Sequence, residues 1–163
     1  MSADSGRAAD GGKGTPIPPD FWPAMAKALA ARDWPAVPVS DFPVGAVRPN
    51  YWLCGLIDGT QKSVDGAMGE LFAATHPLHF PDYRLLVAAY QDVTRSEIDA
   101  LLLKHLGTRM DRQVVVAVIH RASGQFFPPH WPAGWGHSYP IYDPAVGAAV
   151  EAALREVVGP HAA

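Results

Sequence analysis

Three nearly uninterrupted apolar runs, each seven or eight residues long, constrain the fold of this chain more than any other feature. They span residues 51–57, 83–90 and 113–119. Strands of a parallel sheet that is covered on both faces have this composition, because neither face is polar. A helical pattern separates each run from the next, as the crossovers between parallel strands require. The runs therefore predict three neighbouring parallel strands joined by right-handed connections.

Four segments with apolar residues at helical spacing predict helices around these strands. Helix one spans about residues 21–32, and helix two follows Ser63. Thr94 and Glu97 form a capping box for helix three. Pro144 takes the first position of the last helix.

Together these elements predict an α/β fold: a single small domain with a three-stranded, mainly parallel sheet covered by four helices. Residues 34–50 hold four prolines and add at most a fourth, edge strand, because each proline lacks a ladder donor. An α+β antiparallel split arrangement is the alternative. Residues 1–15 offer little to bury and are predicted to be a disordered tail, which leaves residues 16–163 as the domain.

Composition narrows the class of protein. The net charge is -3, so there is no electrostatic case for nucleic acid as a partner. No run of eighteen apolar residues is present, and no membrane association is expected. The N-terminus lacks the apolar stretch of a secretory signal, and the lone Cys54 cannot form an internal disulfide. We therefore expect a soluble cytoplasmic protein.

The first candidate site lies where the three predicted strands end. Its residues are Asp58, Asp92, His120 and Arg121. In open parallel sheets ligands bind beyond the carboxyl ends of the strands, so these side chains are expected to converge there. Either carboxylate would orient His120, and the imidazole would act as a general base near neutral pH. The alternative is that polar residues merely mark the strand ends, with Arg121 paired to Asp92.

The second candidate site is the segment 126–142, which we call the aromatic segment. It is rich in proline, glycine and rings, and a stretch of this length without regular structure is usually functional or disordered. Its candidate binding residues are His130, Trp131, Trp135, His137, Tyr139 and Tyr142. Tryptophan and tyrosine carry much of the binding energy of protein interfaces and also line small-molecule pockets. The alternative is that the segment folds back as a lid over the sheet.

Other kinds of site are not predicted. His76 and His79 flank Pro77 in a connection, and no complete zinc, calcium or phosphate-binding motif is present, so neither a metal nor a cofactor is expected. Ser123 lacks the surroundings of a nucleophile. Cys54 lies inside a strand and is expected to be a buried small hydrophobe.

Short segments resemble two known families. An ordered set of features resembles the small subunit of RuBisCO: residues 48–52, a helix with Glu70-Leu71, then Phe80-Pro81 and Tyr83-Arg84. Residues 56–59, together with residues 142–144 before a helix, resemble two signatures of the effector-adaptor family of type VI secretion. Both resemblances imply binding to a protein partner rather than catalysis.

Two functions follow as hypotheses. The first is a small cytoplasmic partner-binding protein, namely an accessory subunit, an adaptor or a toxin-neutralising immunity protein, that uses the aromatic segment. Its mild negative charge would favour a basic partner. The second is a small enzyme with its Asp/His/Arg site at the strand ends and the aromatic segment as a lid. Small-molecule binding by the aromatic segment is a further alternative, and the sequence does not decide whether the chain is an enzyme.

Overall fold

The structure is a computed structural model that describes residues 14–48, 52–75, 83–105, 114–129 and 144–159. These residues form four helices and five strands. In chain order the elements are α1 (Phe21–Ala30), β1 (Val44–Arg48), β2 (Trp52–Asp58), α2 (Val64–Thr75), β3 (Tyr83–Tyr90), α3 (Arg95–Lys104), β4 (Val114–His120), β5 (Gln125–Phe127) and α4 (Pro144–Val158).

The five strands form one mixed sheet in the order β1-β2-β3-β4-β5. β2, β3 and β4 pair in parallel, so the three apolar runs supply the centre of the sheet. β1 and β5 are antiparallel to their neighbours. The prediction of a three-stranded sheet is therefore wrong in strand number, and the antiparallel split alternative does not form.

Both additional strands are short, which explains their weak sequence pattern. β5 has three residues after the turn at 121–124, too few to show a periodicity. β1 has five residues and lies between Pro43 and Pro49. Proline is tolerated at the edge of a sheet, and β1 is the edge strand that the sequence allowed within residues 34–50.

Residues 35–37, which belong to the proline-rich stretch 34–50 (the proline-rich arm), cover the outer edge of β1. Ala36 forms a bridge with Ala46, and the Val37 N–H donates to the carbonyl of Gly45 at 3.0 Å. A Cβ atom on Gly45 would lie 2.5 Å from the Val37 carbonyl oxygen, so only glycine allows this approach. An exposed strand edge invites pairing with other chains, and the arm protects this one.

Helices cover both faces of the sheet and complete a single small domain. α1 and α4 pack together on one face, over side chains that include Leu85 and Ile119. α2 and α3 lie on the other face, over Leu86 and Val116. Both crossovers advance in the same direction along the sheet, so connections of one hand place α2 and α3 on the same side. Within the described ranges, none of the helices has the length and apolar character that crossing a membrane requires.

Capping contacts mark the starts of two helices, α3 and α2. The Thr94 hydroxyl accepts from the Glu97 N–H at 3.1 Å, and the Glu97 carboxylate accepts from the Thr94 N–H at 3.0 Å, which confirms the capping box. The Ser63 hydroxyl accepts from the Gly66 N–H at 3.0 Å at the start of α2. Asp20, in contrast, makes no side-chain capping hydrogen bond for α1.

Candidate functional site

The parallel register brings the ends of β2, β3 and β4 to one edge of the sheet, which we call the carboxyl rim. Asp58 pairs with Ala89, and Tyr90 pairs with His120. The four candidate residues of this edge are Asp58, Asp92, His120 and Arg121, and all of them lie on the rim. The strands follow one another in linear order, so the rim has no point of reversed strand order, where doubly wound sheets bind their ligands.

Asp58 is buried and its carboxylate accepts three hydrogen bonds. One oxygen accepts from the Ile17 backbone N–H at 2.9 Å. The other accepts from the backbone N–H and the hydroxyl of Thr60, at 2.9 and 2.6 Å. Backbone and hydroxyl donors of this kind satisfy a buried carboxylate without a cation. Asp58 therefore fastens the chain before α1 to the end of β2, and none of its described contacts is to His120.

Asp92 is exposed and contacts the same N-terminal stretch. The Thr15 hydroxyl lies 3.4 Å from one carboxylate oxygen of Asp92. Residues 14–17, which we call the N-terminal strap, thus cross the ends of β2 and β3 and contact both rim carboxylates. Neither carboxylate has a described hydrogen bond to His120, which the two were predicted to orient.

His120 contacts a residue of its own turn. Its Nδ1 lies 2.7 Å from the Ser123 hydroxyl and 3.3 Å from the Ser123 backbone nitrogen. The Ser123 backbone N–H donates to Nδ1, and the Ser123 hydroxyl lies within hydrogen-bonding distance of the same atom. The hydroxyl also lies 3.2 Å from the Gln125 side-chain oxygen. A serine hydroxyl within hydrogen-bonding distance of an imidazole has the arrangement of a nucleophile–base pair.

Two features keep this pair from being a complete nucleophilic site. Within the part of the chain that the structure describes, no carboxylate is hydrogen-bonded to the His120 ring. The Ser123 N–H donates to His120, and the Gly124 N–H donates to the Arg121 carbonyl at 3.1 Å. These backbone donors are therefore engaged in closing the turn rather than available to stabilise an oxyanion.

Arg121 spans from β4 towards α1. Its Nη1 donates to the Gln91 side-chain oxygen at 2.9 Å, and its guanidinium lies 5.6 Å from the centre of the Phe21 ring. The Nε atom is buried and has no hydrogen-bond partner in the described part of the chain. The predicted alternative of a pair with Asp92 is thus replaced by a neutral partner, Gln91, one residue earlier.

Cys54 lies in the interior of β2 and is fully buried. Burial raises the pKa of its thiol from 9.0 to about 12, because a thiolate would lose its hydration there. The thiolate is the reactive form of cysteine, so this residue is a core hydrophobe and not a nucleophile.

The binding residues of the aromatic segment lie outside the described residues. They are His130, Trp131, Trp135, His137, Tyr139 and Tyr142. Phe126, Pro128 and Pro129, at the start of the segment, line a cleft of about 490 Å³ together with Pro144 and Gly147 of α4. Pro129 and Pro144, the described residues on either side of positions 130–143, therefore line the same cleft.

Metal binding receives no support from the described residues, which include no group of three or more His, Cys, Asp or Glu side chains able to hold an ion. His76 and His79, which the sequence did not favour as a metal site, lie outside the described residues.

Sequence reasoning missed Ser123, Thr60 and Thr15 as rim contacts. Of these only Ser123 carried a signal, since it follows His120 by three residues in a turn.

The chain matches no known protein-family model, no curated protein and no solved structure, so the likenesses of its short segments remain resemblances. A fold alone does not identify a function, and the function is therefore argued from the contacts of the two candidate sites.

Proposed function

We propose that this chain is a small cytoplasmic partner-binding protein, of the accessory-subunit, adaptor or immunity-protein kind, and that the aromatic segment provides its contact surface. Trp131, Trp135 and Tyr139 supply rigid amphipathic rings of the type that dominates binding energy at interfaces. The net charge of -3 favours a basic partner.

The observation that carries the proposal is the cleft between β5 and α4, which is lined by the described residues on both sides of positions 130–143. Pro129 precedes these positions and Pro144 follows them, so the two flanking residues line one cleft. Surface loops of about 6 to 16 residues with closely spaced ends are frequently functional, which supports a binding role for this segment.

The contacts of the carboxyl rim also favour binding over catalysis. Asp58 is committed to Ile17 and Thr60, and Asp92 faces the N-terminal strap. Removal of either side chain would therefore affect the tethering of the strap before any chemistry. A carboxylate that is already satisfied by backbone donors is a poor partner for a catalytic histidine.

The test is recovery of a partner by tagged protein from its native lysate, comparing the wild type with a Trp131→Ala/Trp135→Ala double variant. We expect the wild type to retain one protein in stoichiometric amount. The double variant should retain at least about tenfold less, because two interface anchors are lost. The matched control is Leu103→Ala, which removes an apolar side chain that is 64% exposed on α3. A partner-free wild type, or full retention by the double variant, would overturn the proposal.

The second candidate is a small enzyme that uses Asp58, Asp92, His120 and Arg121, with the aromatic segment as its lid. One contact favours it, namely the 2.7 Å approach of the Ser123 hydroxyl to His120. A serine-reactive fluorophosphonate probe separates the two candidates. Labelling of Ser123 that disappears in His120→Ala would support the enzyme, whereas the binding protein is expected to remain unlabelled.

A further inference from the structure

A cavity of about 400 Å³ lies near the end of β2. Three pieces of chain form its walls: the start of α1, the arm before β1, and the turn between β2 and α2. Trp22, Ile17 and Ile57 provide apolar surface, and Asp41, Gln61 and Lys62 provide polar groups. This volume and this mixture of walls are those of a site for a small organic molecule.

The charges around the cavity determine which kind of molecule fits. Lys62 is the single cation among the residues that line it. Its ammonium bonds Glu70 at 2.9 Å and Asp41 at 3.2 Å, so its charge is more than balanced. Asp58 adds a third carboxylate, and no cation contacts it among the described residues. Two carboxylates, Asp41 and Asp58, and one ammonium, Lys62, are among the lining residues, so the lining carries a formal charge of -1, and Glu70 is an additional partner of Lys62 outside this lining.

The hydrogen-bonding groups of the cavity likewise favour a ligand that donates. The donors of Lys62 are taken by two carboxylates, and these bonds raise its pKa, with the Glu70 contact as the main cause, so the ammonium stays charged. The amide nitrogen of Gln61 donates to the Thr60 hydroxyl at 3.3 Å, which leaves the amide oxygen as an acceptor. The Asp41 side chain is 72% exposed and retains acceptor capacity. The polar side of the cavity therefore offers acceptors.

We propose that this cavity binds a small organic ammonium ion with an apolar body, whose charged end contacts Asp41 and Gln61 and whose body packs on Trp22. Tryptophan is the side chain that attracts organic cations most strongly through its ring face. The anionic surroundings disfavour carboxylates and phosphates by the same electrostatics.

The inference does not rest on the proposed partner function. None of the described residues that line the cavity belongs to the aromatic segment, so each proposal can fail while the other holds. It does involve the N-terminal strap through Ile17, and an ammonium bound there would lie beside the strap contact with Asp58.

The experiment is calorimetric titration of the full chain with three phenyl probes of similar size: 2-phenylethylammonium, neutral 2-phenylethanol and anionic 3-phenylpropionate. We expect the ammonium to bind at least about tenfold more tightly than the alcohol and the carboxylate not to bind. Absence of ammonium binding, or equal binding of the alcohol, would overturn the inference.

Two variants test the charge argument in opposite directions. Asp41→Asn should weaken ammonium binding roughly threefold, a modest change because this carboxylate is exposed and screened. Lys62→Gln should strengthen it, since it frees both of its carboxylate partners. The matched control is Asp99→Asn, which removes an exposed carboxylate paired with Arg95 on α3 and should leave the affinity unchanged. Unchanged affinity in both cavity variants would contradict the proposed site.

Discussion

The two halves of the carboxyl rim differ in what their polar side chains contact. At the ends of β2 and β3, Asp58 and Asp92 contact a distant part of the chain, the N-terminal strap. At the end of β4, His120 and Ser123 contact each other inside one turn. The two carboxylates join separate elements, whereas His120 and Ser123 close a local turn, with Arg121 as the residue of this half that contacts other elements.

This difference shows why strand ends that share one edge of a sheet need not form one site. Topology places Asp58 and His120 on the same rim, but Ile17 of the N-terminal strap and Thr60 supply the three hydrogen bonds that Asp58 accepts. A buried carboxylate must be satisfied, and the nearest donors of the chain satisfy it before a ligand can. In the β4 half, the buried Nε of Arg121 has no hydrogen-bond partner among the described residues.

The largest expected effect is at Asp58. Asp58→Asn should lower the free energy of unfolding by about 2 kcal/mol, because an amide cannot accept hydrogen bonds through both of its ends. In the wild type the Asp58 carboxylate accepts from three donors, the Ile17 N–H and the N–H and hydroxyl of Thr60. Urea unfolding measures the change.

The matched control for this variant is Asp92→Asn on the neighbouring strand end. Asp92 is exposed and has one long contact at 3.4 Å, so its replacement should cost less than about 0.5 kcal/mol. Equal costs at the two positions would mean that the strap is not fastened through Asp58.

A smaller effect is expected from Cys54, which tests how completely the β2 half is closed to solvent. The pKa of its thiol is raised to about 12 in the folded chain, against 9.0 without burial. Below pH 9 both states are protonated and the thiol contributes no pH dependence. Above pH 9 only the unfolded state releases the proton, so stability falls as the pH rises, by about 1 kcal/mol between pH 8 and pH 10.

Comparison with Cys54→Ala isolates this contribution, since all other titrating groups are common to both proteins. The stability of the wild type should fall more steeply than that of the variant between pH 8 and pH 10. Parallel pH profiles would show that water reaches the thiol and that β2 is less closed than its contacts imply.

The sequence predicted those parts of the fold that depend on local pattern. The three apolar runs became the parallel centre of the sheet, because composition alone reports burial on both faces. The Thr94 capping box and the proline at the start of α4 formed as predicted, because each depends on a few neighbouring residues.

The parts that the sequence did not predict depend on contacts between distant residues. The hydrogen bond from the Ile17 N–H to the Asp58 carboxylate joins residues that are 41 positions apart, and no local sequence pattern predicts it. β5 depends on pairing with β4 rather than on its own three residues. The positions of Asp58 and Asp92 at the strand ends were predictable from the sequence, but their hydrogen-bond partners were not. The six binding residues of the aromatic segment remain a prediction.

The smallest effect is expected in the β4 half, at Ser123. Ser123→Ala removes the hydroxyl that lies 2.7 Å from His120, but it keeps the backbone N–H that also donates to Nδ1. The ring nitrogen thus retains a partner, and the free energy of unfolding should fall by only about 0.5 kcal/mol. Urea unfolding measures this change against Ser96→Ala, an exposed serine of α3 whose replacement should not destabilise the chain. If Ser123→Ala instead costs as much as Asp58→Asn, the turn after β4 is as structural as the strap contact, and the contrast between the two halves of the rim disappears.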